Sequence, residues 1–324
     1  MNPSGADVSS FVTAFSVILP VLFVMGLGYW AGRAKQFDQD QVRGLNALVL
    51  EYALPALLFV GVVSASRGAL LAAVPFALGI LVATFGLFLL ATIFCVFVLR
   101  RNLGTTAIQA GCASNANVAF AGVPILTSLF GQSSTFSVAT SALIINVTIV
   151  PAMVTMLEYD RQRSAGAETL KVAALIRQSL FTSFKQPYVL APLLAAILVL
   201  LDLRPPSEFE KMLELIGSTT SGVALFLAGL ILAAYRIEFS AETLGNTVVK
   251  TIVQPVLMAL LVVAFGVAKP LGIEGIVICT LPTAVICPML ALRYGVYEAQ
   301  AATTMLLTTI AIVVAVPAAI AFLR

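Results

Sequence analysis

Ten apolar runs recur along the chain, near 11–31, 43–63, 70–99, 106–130, 134–157, 187–202, 215–235, 245–268, 272–292 and 300–323. At a rise of about 1.5 Å per residue, runs of this length match a hydrocarbon core about 30 Å thick. The sixth is short, with Tyr188 and Pro192 placed to extend it at the interface, and the third is long enough to tilt. The alternating ten-residue segments of a membrane barrel are missing, so the pattern predicts an all-α protein with ten transmembrane helices. The longest polar stretch, Glu158 to Gln186, separates the fifth run from the sixth. It divides the chain into a first five-helix repeat (1–157), a cytoplasmic linker loop (158–186) and a second five-helix repeat (187–324). Thr169–Phe181 reads as an amphipathic helix in that linker, and 203–214 (LRPPSEFEKMLE) as the other polar break.

Five is an odd number, so a duplicated half must insert upside down relative to the first, as inverted repeats do. Within each half the fourth run is interrupted at a matching place. The first interruption spans Gly111 to Ile125 and holds Ser114, Asn115, Asn117, two glycines and Pro124. The second spans Cys279 to Tyr294 and holds Thr280, Pro282, Thr283 and Pro288. Neither composition suits a lipid-facing helix, because an unpaired polar group in hydrocarbon costs several kcal/mol. Proline removes a backbone donor and strands a carbonyl one turn upstream. Two such breaks in corresponding positions point to a transporter binding site.

Composition agrees with the pattern. Of 324 residues, 60% are hydrophobic and 10% charged, and mean hydropathy is +1.05. A soluble domain carries about a quarter charged residues, so this is an integral membrane protein whose surroundings are the lipid bilayer. The net charge of +3 comes with no dense basic run, which argues against a nucleic-acid partner. Histidine is missing, which removes His-ligated metals and His acid–base chemistry. Cys95, Cys112, Cys279 and Cys287 all fall in apolar runs and read as small core residues. The first ten residues hold no Lys or Arg, so the first apolar run reads as retained rather than as a leader.

Charge also orients the chain. Of the 18 Lys and Arg, only Arg67, Arg204, Lys211, Lys269 and Arg324 lie after even-numbered runs. The other thirteen, Lys250 among them, lie after odd-numbered runs, which places both termini outside the cytoplasm of a multi-pass inner (plasma) membrane protein.

Two broken helices that cross at mid-membrane aim free N–H groups and positive dipole ends at one point, which suits a carboxylate. Candidate substrate-binding residues are therefore Asn117, Asn115, Ser114, Pro124, Thr280, Pro282, Thr283 and Pro288, with Asn117 foremost. Glu51 is the acid read as deepest in a run, and an ionisable group at that depth suggests proton coupling. Asn46 and Pro55, on the same run, bend it around the site. Arg293 draws an anion from the cytoplasm or anchors the helix end. Tyr29, Trp30, Tyr52, Tyr188 and Tyr235 read as interface-belt residues, and Gly26, Gly28, Gly222 and Gly229 as points of close helix contact. No acid pair, Ser–Lys arrangement or HExxH motif appears, and no phosphate-binding loop, so neither an enzyme, an ATP-driven pump nor a cofactor is expected.

The order of these motifs resembles the auxin efflux carrier family over most of the chain. Ile18 to Arg33 (ILPVLFVMGLGYWAGR), Leu45-Asn46 and Ala53 to Phe59 (ALPALLF) are similar to its opening. Asn117 with Gly122-Val-Pro124 resembles its fourth-span motif, and Leu281-Pro282 through Ala291 to Gly295 its ninth-span motif. The resemblance implies ten helices in two inverted five-helix repeats, a scaffold and a mobile bundle, and a crossing of spans four and nine. It also implies elevator-type alternating access, a carboxylate held near the crossover Asn, and a homodimer through the scaffold. Bile acid:sodium symporters share that broad architecture. The plant pattern has Pro before the crossover Asn where this chain has Ala116, and closer ninth-span prolines than Pro282 and Pro288. The departures favour a bacterial-type carrier of small organic anions such as malate or malonate over auxin. Two alternatives stand beside it: a sodium-coupled symporter of an amphipathic acid, and a membrane receptor or scaffold without flux.

Overall fold

A computed structural model describes residues 3–166, 171–235 and 237–323, with side chains from Ile18 to Ile320 outside the gaps. The described residues are helical throughout, with no strand, and their sequence sets where each helix starts and bends. In chain order the helices are α1 (Pro3–Arg33), α2 (Gln39–Val63), α3 (Val74–Phe97), α4 (Leu103–Ser114), α5 (Val123–Phe130), α6 (Thr135–Ser164) and α7 (Val172–Phe184). They continue as α8 (Pro187–Leu200), α9 (Ser207–Ala233), α10 (Ala241–Ala264), α11 (Lys269–Thr280), α12 (Ile286–Tyr294) and α13 (Glu298–Leu323).

Starts follow capping chemistry. The Asp38 carboxylate accepts from the Gln41 N–H at 2.8 Å while the Gln41 side chain accepts from the Asp38 N–H, a reciprocal cap for α2. Ser240 and Thr243 do the same for α10, and Asn102 caps α4 through the Thr105 N–H. Three of the four π-helical turns among the described residues precede a proline. Pro55, Pro124 and Pro255 each stand two residues after a π-helical turn: Leu48–Ala53, Val118–Gly122 and Val249–Val253. Each proline lacks the N–H that would bond the carbonyl four residues back, and its ring crowds that carbonyl. Widening the preceding turn relieves the clash.

Six helical runs among the described residues are long and apolar enough to cross a membrane, or seven if α7 and α8, which meet at 71°, form one span. Two expected spans fail a test of unbroken length because each is cut in mid-course, α4 from α5 and α11 from α12. Much of the linker expected at 158–186 is helical. α6 runs on to Ser164, and the linker helix starts at Val172, Thr169 itself lying outside the described residues. Of 203–214, expected as a polar break, the part from Ser207 on is helical and leads through Gly217 into the apolar half of α9.

α1 lies along the second half of α9 and also meets α13 and α5, and α2 packs on α8, α9 and α6. The broken helices pack mainly on α3, α6, α10 and α13. The α1–α9 crossing depends on glycine: a Cβ on Gly28 would sit 2.0 Å from the Phe226 carbonyl oxygen, and one on Gly229 2.1 Å from that of Met25. Gly26 and Gly222, expected to share this role, have no neighbour within 4 Å of the equivalent position.

Candidate functional site

α4 stops at Ser114 because Ser114-Asn115-Ala116-Asn117 offers side chains that compete with helical backbone bonding. α11 stops at Thr280 because Leu281 precedes Pro282 and is pushed to extended geometry (φ −58°, ψ 153°). The two unwound stretches cross and pair antiparallel, Ala116 opposite Thr283. The Asn117 N–H donates to the Pro282 carbonyl at 2.8 Å, and the Ala284 N–H to the Asn115 carbonyl at 3.0 Å. The Thr283 hydroxyl donates to the Cys112 carbonyl at 2.8 Å, and the Thr283 N–H to the Thr308 hydroxyl of α13 at 3.0 Å. All of these residues are buried.

One side of the crossing borders a cavity of about 80 Å³. Asn46, Asn115, Asn117, Asn146 and Tyr188 line it, and none of its lining residues is charged. The first residues of both downstream segments, Val118–Phe120 and Val285–Ile286, also border it. The first amides of a helix have no partner within it, so the positive ends of two helices adjoin this space. Asn115 is fully buried, yet its side-chain nitrogen and oxygen both lack a hydrogen-bond partner, as does the Asn46 side-chain oxygen. Buried polar groups are mostly paired, and among the described residues Asn115 alone has both side-chain polar atoms buried without a partner.

On the opposite side, two side chains of α10 cap the ends of both upstream helices, although the Gln254 side-chain oxygen itself has no partner. Lys250, fully buried, donates from Nζ to the Cys279 carbonyl at 2.9 Å, near the end of α11. One turn on, Gln254 donates from Nε2 to the Ser114 carbonyl at 2.6 Å, at the end of α4, and to the Ala83 carbonyl at 3.2 Å. A single turn of α10 thus holds the negative ends of both broken helices. Lys250 was expected in a cytoplasmic loop. It lies instead inside α10, on the π-helical turn Val249–Val253; Arg236, read with it, lies outside the described residues.

The residues singled out from sequence therefore divide. Asn115 and Asn117 line the cavity, while Pro282 and Thr283 build the crossing beneath it. The Ser114 hydroxyl bonds the Ala110 carbonyl of its own helix, and Thr280 that of Val277. Pro124 starts α5 and Pro288 lies within α12, its carbonyl accepting from the Tyr235 hydroxyl at 3.0 Å; neither lines the cavity. Tyr188 and Tyr235 thus serve the interior rather than an interface belt. Glu51 is exposed on the π-turn of α2, and Arg293 is exposed at the end of α12. Sequence reading missed Asn146, Lys250, Gln254 and Glu274. The available signal for Lys250 and Gln254 was their i, i+4 spacing inside an apolar run. The four cysteines are free and buried.

The chain matches the model of the family described as "Membrane transport protein" over residues 13–320. It is 35% identical over 306 residues to "Uncharacterized transporter YfdV" of Escherichia coli (strain K12), covering 93% of this chain and 94% of the relative. It is 24% identical over 299 residues to "Putative malonate transporter" of Rhizobium meliloti (strain 1021), covering 91% of each. A multi-pass helical chain with this crossing, matched from end to end by transporters, belongs to the membrane transport protein family, the family of the auxin efflux carriers.

Proposed function

We propose that the chain is a secondary active carrier of small organic anions, exporting them by an elevator-type motion, with a carboxylate held at the crossing. The observation that carries this is Asn115: a fully buried amide, both ends unpaired, beside two helix N-termini. A carboxylate there would accept from the Asn115 and Asn117 side chains and from the first amides of the two downstream segments. Asn46, Asn146 and Tyr188 would receive the rest of the solute.

Size narrows the class. By the measure in which one water occupies about 10–15 Å³, a cavity of 80 Å³ holds about five to eight water-sized atoms. That suits a three- or four-carbon acid and is too small for an indole acid. The name of the Rhizobium meliloti relative points the same way.

The sodium-coupled alternative loses support from Lys250. Cations in such carriers are coordinated by half-helix C-terminal ends and unwound carbonyls. Here a lysine ammonium already rests on one of those ends and Gln254 on the other. In this reading 1–157 and 187–324 are inverted halves joined by 158–186, α1, α2, α8 and α9 form the scaffold, and both termini face away from the cytoplasm of the inner membrane.

The test is counterflow of radiolabelled malonate, malate and indole-3-acetate in proteoliposomes, with sodium or choline as the cation. Saturable exchange of the small acids, equal in both salts, is the expected result. Binding without exchange would turn the reading to a receptor, and exchange only in sodium to a symporter.

A further inference from the structure

A second buried charge lies away from the cavity. Glu274, in the first half of α11, is only 5% exposed, and the Ser137 hydroxyl of α6 donates to its Oε2. It takes part in none of the ion pairs among the described residues. A carboxylate inside a membrane bundle without a cationic partner is costly to keep, and such groups persist where they exchange a proton or an ion.

Its neighbours rule out a hidden counter-ion. α11 packs against α3, α5, α6, α10 and α13. α3 and α5 carry no charged residue; α6 carries Glu158, Asp160, Arg161 and Arg163 only in its last turns, and α13 carries Glu298 at its start. α10 contributes Glu242 at its start and Lys250, which reaches the Cys279 carbonyl. Five residues separate Cys279 from Glu274, about 7–8 Å along the helix axis. Lys269, at the first position of α11, and Cys279 are the other titratable groups of the helix itself.

Two further features give this acid a route. Ser141 follows Ser137 by one turn on the same face of α6; its hydroxyl is buried and unpartnered, and the next residue, Ala142, lines the crossover cavity. At the other end of the line, Gln132, Ser133 and Thr135 border a separate 590 Å³ cavity within a turn of Ser137. Thr135 too has a buried hydroxyl without a partner. The Ser137 and Ser141 hydroxyls, one turn apart on one face of α6, lead from the acid towards the crossover cavity, and Ser133, one turn before Ser137, borders the larger one.

We propose that Glu274 is the proton-binding residue that couples acid movement to a pH gradient, resting on the carrier reading above. Its carboxylate takes a proton from water at the 590 Å³ cavity, forming the neutral acid. It returns that proton to water, by way of the Ser137–Ser141 line, when the bundle has changed sides. Glu51, exposed on α2, has no such enclosure.

The test separates coupling from carriage, using proteoliposomes and radiolabelled malonate. Wild-type protein should show both counterflow and uptake driven by an imposed pH gradient. Glu274→Gln should lose gradient-driven uptake by about tenfold or more while keeping counterflow within about twofold, and Glu51→Gln should keep both. Gradient-driven uptake by Glu274→Gln at the wild-type rate overturns the proposal. So does wild-type counterflow that ignores the gradient, which leaves the carrier reading standing; absence of counterflow with every acid tried removes that reading instead. Should Glu274→Gln fail to fold, Ser137→Ala decides: a displaced pH profile of uptake at unchanged counterflow supports the role, and an unmoved profile overturns it.

Discussion

The two sides of the crossing are made of the same backbone and treated in opposite ways. On one side the C-terminal ends of α4 and α11 are capped by side chains: Gln254 takes the Ser114 carbonyl, Lys250 the Cys279 carbonyl and Thr283 the Cys112 carbonyl. On the other, the Asn115 side chain is left without partners beside an open space that the starts of two helical segments border. An unmade hydrogen bond in a buried site costs about 1–3 kcal/mol, so the unpaired Asn115 amide is what supports the proposed ligand site on the bare side.

Mutation should separate them, and the largest effect belongs on the bare side. Asn117→Ala should abolish counterflow without unfolding the protein. Asn115→Ala should do so while raising stability by about 1 kcal/mol, since it deletes an amide that has no partner. Flux assays beside thermal unfolding in detergent read both quantities. Unchanged transport in either variant would remove that side chain from the site.

On the capped side the prediction is reversed. Gln254→Leu keeps the volume but strands two buried carbonyls, Ser114 and Ala83, at a cost of about 2–4 kcal/mol. Lys250→Met strands one, Cys279, but also relieves a desolvated charge, so its loss should be smaller, about 1–2 kcal/mol. If Gln254→Leu were to spare stability and abolish binding, the division of labour between the sides would collapse.

This asymmetry also marks where the sequence stops being legible. The place of the breaks could be read, because Asn115, Asn117 and the Leu281-Pro282 pair act locally on backbone geometry. The pairing of Ala116 with Thr283 joins residues far apart in the chain, and only the motif order hinted at it. The caps were not legible, since Lys250 looked like any positive residue near the end of an apolar run. Glu274 likewise lies two residues inside its run and drew no reading from the sequence. Period and composition report how deep a residue sits along a helix, not which neighbour its side chain meets.

Thr280 puts that distinction to its finest test. From sequence it belongs with Thr283, three residues away in the same polar interruption, and both were expected to donate hydroxyls to the solute. In the folded chain the Thr283 hydroxyl crosses to the Cys112 carbonyl, whereas that of Thr280 returns to Val277 of its own helix at 2.7 Å. The Thr280 side chain borders a groove between α10 and α13 that is separate from the cavity. A hydroxyl bonded back to its own helix adds little, so Thr280→Val should move stability by less than about 0.5 kcal/mol and leave malonate exchange unchanged. Thr283→Val strands a carbonyl at the crossing and should cost about 1–2 kcal/mol with a loss of exchange. Equal effects at the two positions, measured by counterflow and unfolding together, would mean that the solute reaches around the crossing to the side the caps occupy.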